Sequence, residues 1–282
     1  MSRIDQALSW CTEFEGSTRA IGLLRIALAA IILIRYGNEI AFFAVDDIRH
    51  AVLAAYFFLL VPLMLIGAYT RLTVPLVAGL LFCMYFLFGF QPDKVGWNHH
   101  HSYLLMISVV FLSFTPCGRS YSLDRYRSVR EAEHGRQATK PEYGQLWGTR
   151  LIGLQMSALY FWTAVDKSDW AFVSSQRLEQ IMVWHHSGRP LATLMLCPAF
   201  LVAASIAVVV VEYLLAIAIH LKRLQWTAIR VALAMHATFY ILLPVETYSI
   251  TMIALYLVVL DPDIVHRFLD KLQGHDTASN RI

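Results

Sequence analysis

The chain has 282 residues, of which 57% are hydrophobic and 15% charged, with a formal net charge of +3. A water-soluble domain carries about 45–50% apolar and about 25% charged residues, so this chain is too apolar and too sparsely charged to be one. The same apolar excess excludes a disordered chain, and so small a net charge gives no basis for binding nucleic acid.

The chain opens on polar Met1–Ser17, which holds Asp5, Glu13 and Glu15 where a cleavable signal would place a basic stub and an apolar core. The first apolar segment is therefore the expected insertion signal. A spanning helix needs about 20 mostly apolar residues. Eight segments approach that: Arg19–Phe43, Ala51–Thr70, Leu72–Phe90, His100–Pro116, Arg150–Val165, Ala199–Ile219, Thr227–Leu243 and Tyr248–Leu260. The fifth and the last are the shortest. The expected fold is an all-α, polytopic membrane bundle of about eight transmembrane helices. Residues 1–18 form an N-terminal segment, 19–261 the membrane domain and 262–282 a tail.

The distribution of positive charge gives an orientation. With the N-terminus in the cytoplasm, sixteen of the 23 Lys and Arg fall inside, among them Arg3, Arg71, Arg119, Arg136, Lys140, Arg230 and Arg281. Six fall outside: Arg35, Arg49, Lys94, Lys167, Arg177 and Arg189. Both termini are therefore expected in the cytoplasm. The four cysteines, Cys11, Cys83, Cys117 and Cys197, do not share the oxidising side, and no structural disulfide is expected. The loop Cys117–Thr149 carries Arg125, Arg127, Arg130, Glu131 and Glu133, as a solvated surface helix would; contact with lipid headgroups is the other reading.

Ionisable groups inside a bilayer are costly, which makes each one a functional candidate. Arg25, Glu212 and His236 fall within predicted spans. Arg25 and Glu212 are expected to neutralise each other as a buried structural pair. Polar residues also gather at the ends predicted to face outward: Trp97–Tyr103, Asp166–Trp170, Trp184–His186 and Pro244–Tyr248. This clustering suggests a polar cavity open to the outside. Metal binding by His99–His101 and His185–His186 is one use for it. Adjacent residues on a helix point about 100° apart, however, so a triple run seldom converges on one ion, and no metal is expected. General-base chemistry is another use. Desolvation at an apolar helix end would favour the neutral amine of Lys167, while Asp166 and Asp169 would favour its ammonium.

These residues resemble the HTTM family, the transmembrane module shared with vitamin K-dependent γ-carboxylases, over roughly Arg19–Asp261. Ala20–Ile26 resembles the family's first-span arginine motif. Asn98-His99-His100-His101-Ser102-Tyr103-Leu104 resembles a Trp-Asn-Asn-His-Ser-Tyr-Leu motif, followed by the turn Arg119–Asp124. Tyr160–Trp170 resembles the stretch that ends in the catalytic lysine and a downstream Asp-Trp, and Glu212 and His236 match an acidic residue and a histidine of the later spans.

The resemblance implies that Lys167 deprotonates a reduced quinone, vitamin K-like or a menaquinol, with oxygen and carbon dioxide as co-substrates. It implies that His101 steadies the carbanion and carbon dioxide, and that His236 lines the same cavity. Asn98, His100, Tyr103, Trp162 and Trp170 are the candidate quinone-binding residues. The expected setting is a bacterial cytoplasmic membrane with the active site facing outward. The implied partners are the lipid bilayer, a lipophilic quinone-like molecule and a secreted peptide substrate. Carboxylases of the family also carry a large extramembrane domain that recognises the peptide; here only Asp261–Ile282 follows the last predicted span. The alternatives are a non-catalytic membrane partner in the maturation of a secreted peptide, and a multi-histidine metal-dependent oxidase.

Overall fold

The computed structural model describes residues 13–43, 47–91, 96–135, 138, 141–188 and 195–273, with residues 5 and 9. The expectations placed on Arg3, Cys11, Lys94, Arg136, Lys140, Arg189 and Arg281 lie outside these residues. Every predicted apolar segment is helical. In chain order the elements are β1 (Glu15–Ser17), α1 (Arg19–Phe43), α2 (Ile48–Ile66), α3 (Thr70–Phe82) with a π-helical turn over Cys83–Phe88, and α4 (His100–Ser113). Then come α5 (Leu123–Glu133), β2 (Tyr143–Gln145), α6 (Trp147–Lys167), α7 (Trp170–Val173), α8 (Gln176–His186) and α9 (Pro198–Ala218). The chain ends through α10 (Gln225–Leu242), α11 (Glu246–Leu255), a 3₁₀ turn (Tyr256–Val258) and α12 (Pro262–Leu272).

Among the described residues, four helices are long and apolar enough to cross a membrane: α1, α2, α3 with its π-helical turn, and α9. A fifth is added if the bent pair Glu246–Val258 and Pro262–Leu272 counts as one span. The other segments expected to span fall short for different reasons. The helix α4 has 14 residues. The helix α6 has 21 residues, but Arg150, Gln155, Asp166 and Lys167 make it too polar. The helix α10 has 18 residues and carries Gln225, Arg230 and His236.

The chain divides into two compact units, Met1–Ile152 with Ala254–Ile282, and Gly153–Ile253. In the first, α1 packs on α2 and α4, and α3 lies between α2 and α4. This core is built around Arg25, whose side chain is fully buried. Its Nη1 donates to the carbonyl of Met64 at 2.9 Å, and its Nη2 donates to that of Tyr121 at 2.6 Å. Gly67 ends α2 in the left-handed region at φ 71°, and a Cβ there would strike the Arg25 guanidinium. The loop after α4 closes over the same place. Thr18 Oγ1 and Ser120 Oγ lie 2.7 Å apart, and a Cβ on Gly22 would sit 2.7 Å from the Ser120 carbonyl.

Asp124, in the first turn of α5, accepts from the amides of Tyr69 and Thr70 and from Thr70 Oγ1, each at 2.8 Å. It thereby satisfies the amides that the start of α3 leaves without intrahelical partners. At the chain ends, β1 pairs antiparallel with β2, with Gly16 opposite Gly144. Arg19 forms ion pairs with Glu142 and Asp270, and Ser17 Oγ meets His266 Nδ1 at 2.8 Å, which ties α12 to the start of α1.

In the second unit, Leu178 and Met182 of α8 pack on Leu201 of α9, with Leu242 and Leu243 against them. Pro198 sits in the first turn of α9, where its missing N–H costs nothing. Asp169 caps α7 by accepting from the Phe172 amide at 2.8 Å.

Gly67→Ala is expected to lower stability by about 2 kcal/mol or more, from left-handed strain combined with displacement of a buried guanidinium. Thermal unfolding in detergent micelles checks this. The thiols differ as well. Cys83, Cys117 and Cys197 are free, and burial pushes the Cys117 thiol up to about 11. At pH 8 Cys117 is therefore protonated as well as covered. A maleimide should label exposed Cys197 in the folded protein and reach Cys117 only after unfolding. Mass spectrometry of labelled peptides reads the order.

Candidate functional site

Polar side chains gather at a centre in each unit. In the first unit the centre is the segment that opens α4. Trp97 is buried, and its ring meets Tyr36 of α1 edge-on at 6.5 Å between centroids. The Tyr36 hydroxyl donates to Ser102 Oγ at 2.6 Å, and Ser102 Oγ donates back to the Gly96 carbonyl at 3.2 Å. These contacts anchor the ends of the histidine run. Asn98 is half-buried under Gly89, where a Cβ would come 2.9 Å from the Asn98 amide. His99 and His100 are exposed and His101 is half-buried. Tyr103 faces outward beside Tyr85, their centroids 5.8 Å apart.

The three imidazoles converge. Their centroids lie 3.9, 4.3 and 4.1 Å apart, and one ring nitrogen from each falls within 4.8 Å of the others. The 100° argument against convergence applies only inside a helix. His99 is the residue before the first turn of α4, with extended backbone (φ −76°, ψ 151°), so its side chain leaves the helical spiral. The run can therefore present three ring nitrogens to one ion. The second histidine pair is different. His186 is buried, and its Nε2 lies 2.8 Å from the Leu242 carbonyl. A carbonyl only accepts, so that nitrogen carries the proton and is not a ligand in this arrangement.

In the second unit the centre joins α6, α9 and α10. Lys167, the last residue of α6, donates to both carboxylate oxygens of Glu212, at 2.7 and 2.9 Å. Glu212 is 1% exposed, while the lysine side chain keeps 24% of its surface. The buried pair expected between Arg25 and Glu212 is thus replaced by two arrangements. Arg25 is met by backbone carbonyls of its own unit, and Glu212 by Lys167. The nearest carboxylates in sequence, Asp166 and Asp169, instead form ion pairs with Arg177 at 3.7 and 2.6 Å. About two helical turns before the lysine, Tyr160 lies fully buried against His236 of α10, with its hydroxyl 2.6 Å from His236 Nε2. The His236 ring also meets Tyr248 at 5.5 Å between centroids.

The helices α6 and α9 that carry this pair also carry aromatic side chains. Phe161 meets Tyr213 at 6.0 Å between centroids, and the Tyr213 hydroxyl lies 3.1 Å from Ser168 Oγ. Trp162 and Trp170 are exposed. Sequence reasoning singled out Lys167, Glu212 and His236 separately but did not join the first two. It also passed over Tyr36, whose hydroxyl inside an apolar helix was a visible signal of a buried partner.

The fold and these centres define a helical integral membrane protein with ion pairs and histidine contacts inside its apolar helices. The chain belongs to the HTTM family: the HTTM-domain model matches residues 39–264. That range includes both centres apart from Tyr36, and the first-span motif Ala20–Ile26 precedes it. No curated protein and no solved structure matches the chain.

Removing one partner of a buried ion pair strands the other charge, so Lys167→Met or Glu212→Leu alone is expected to cost about 3 kcal/mol. The double substitution leaves no charge behind and should cost clearly less than the sum of the two single changes. A double-mutant cycle on unfolding in micelles measures the difference.

Proposed function

We propose that this protein is a membrane enzyme that takes a proton from a quinol or a similar lipophilic hydroxyl compound, with Lys167 as the base. The observation that carries the proposal is the Lys167–Glu212 contact inside an HTTM domain. Away from water, an ammonium–carboxylate pair and an amine–carboxylic acid pair lie close in energy. Glu212 can then hold the proton that Lys167 gives up, leaving a neutral amine able to accept one from a substrate hydroxyl. A partly open lysine, with Phe161, Trp162 and Tyr213 on the two helices that form its ion pair, suits a flat lipophilic ring. Trp170 of the same unit completes the proposed binding set.

A bound reduced quinone would supply a reductant for oxygen, giving the epoxide and water. The chain's own contribution is to bind the ring, place the amine and exclude water from the reacting hydroxyl. His236, held through Tyr160 in the same unit, is assigned to the same chemistry. Carboxylation of a secreted peptide is the further step that the family resemblance adds. In the proposed setting eight helices cross a bacterial cytoplasmic membrane, both termini lie in the cytoplasm and the site opens outward, as the excess of Lys and Arg on the inner segments supports.

Purified protein given a menaquinol under oxygen should form the quinone epoxide, detected by mass spectrometry, and Lys167→Ala should lower the rate by about a hundredfold or more. Equal background signals from both proteins would end the enzymatic proposal. Reporter fusions after Asp47 and after Glu246 should both read as extracytoplasmic.

A second reading is a multi-histidine metal-dependent membrane oxidase, favoured by the convergence of His99, His100 and His101. Neutral imidazoles suit zinc, iron or copper. Elemental analysis of protein purified without a histidine tag distinguishes it: stoichiometric metal that is lost on His100→Ala supports it, and metal near zero removes it.

A further inference from the structure

The first unit also contains a cavity of about 890 Å³, distinct from the histidine run and bounded by the start of α3, the end of α4, the turn that follows it and one face of α5. Its walls carry four arginines, Arg71, Arg119, Arg125 and Arg127, against two carboxylates, Asp124 and Glu131. Asp124 is already committed. Its oxygens accept from Tyr69 and from Thr70 at the start of α3. Four guanidiniums against two carboxylates leave the lining net positive.

Arg119 donates to the Tyr143 carbonyl, a neutral partner. Arg125 stands 3.9 Å from Glu142, the limit of an ion pair. Arg127 lies over the Tyr69 ring at 5.0 Å. Arg71 and Arg127 are both exposed. The rim is apolar on one side, where Leu72 and Phe114 line the cavity and are 61% and 46% exposed. A concave site with several guanidiniums within and bare leucine and phenylalanine at its edge has the chemistry of a molecule that is anionic at one end and greasy at the other.

We infer that this cavity binds a phosphate-bearing anion, with an anionic phospholipid headgroup seated among Arg71, Arg119, Arg125 and Arg127 and its acyl chains running past Leu72 and Phe114. Guanidinium forks match phosphate oxygens two at a time. Basic pockets between the ends of membrane helices take lipid headgroups for this reason. The site lies on the face that carries the positive excess, at the depth where α3 begins and α4 ends. A soluble phosphorylated compound would use the same arginines without the apolar rim.

The test uses the full-length protein in nanodiscs and in micelles. Wild type reconstituted in mixed phosphatidylglycerol and phosphatidylcholine should retain phosphatidylglycerol through delipidating washes, read by native mass spectrometry. Arg71→Gln and Arg127→Gln should each lose retention by roughly fivefold. Leu72→Ser should lower lipid retention while leaving any stabilisation by inorganic phosphate or pyrophosphate unchanged. Stabilisation by soluble phosphate alone, abolished by the arginine changes, would assign the anion site to a free phosphorylated ligand and overturn its lipid source. Equal lipid retention in all variants, with no effect of soluble phosphate, would overturn the inference. A matching melting temperature for Arg71→Gln shows that the variant is folded.

Discussion

A guanidinium in an apolar helix must find acceptors or the helix cannot stay where it is. Arg25 finds two, the carbonyl that closes α2 and one in the loop after α4. The contacts around it follow from that requirement. Gly67 must lack a side chain because the guanidinium occupies the space. The loop must return to the start of α1, where Ser120 meets Thr18 and Gly22. Asp124 then falls at the start of α3 and caps it. One buried guanidinium, met by backbone carbonyls, thus ties α1 to the end of α2 and to the loop after α4.

The second unit solves the same problem differently. Its buried charge is an acid, and the acid is met by a lysine from the end of another helix. A carbonyl cannot serve a carboxylate, so a donor had to come from elsewhere in the chain. The result is an ion pair in which the lysine donates to both oxygens of the carboxylate.

The order of helices was legible in the sequence, since every apolar segment became a helix. Which of them are long and apolar enough to span was less legible. Hydropathy marks α1, α2 and α9 without help, whereas α6 and α10 carry polar residues whose partners lie far along the chain. Lys167 shows the limit most clearly. Reading locally offers Asp166 and Asp169, yet side-chain direction turns both toward Arg177, and the partner is 45 positions away. The histidine run shows the reverse error. The helical spacing rule was sound, but the first residue of the run stands outside the helix, and its extended backbone brings the rings together.

The clamp on Arg25 also has a direction in time. The chain is made from its N-terminus, and the Tyr121 carbonyl lies 96 residues after the arginine it serves. The first helix therefore meets the membrane with its charge unanswered, and three more apolar helices must be synthesised before the second acceptor exists. Until then the first helix is best served by water, headgroups or the insertion machinery, so its final depth is settled by a loop made after α4. An otherwise ordinary apolar helix is thereby kept provisional during synthesis, and the return of that loop is the step that commits it.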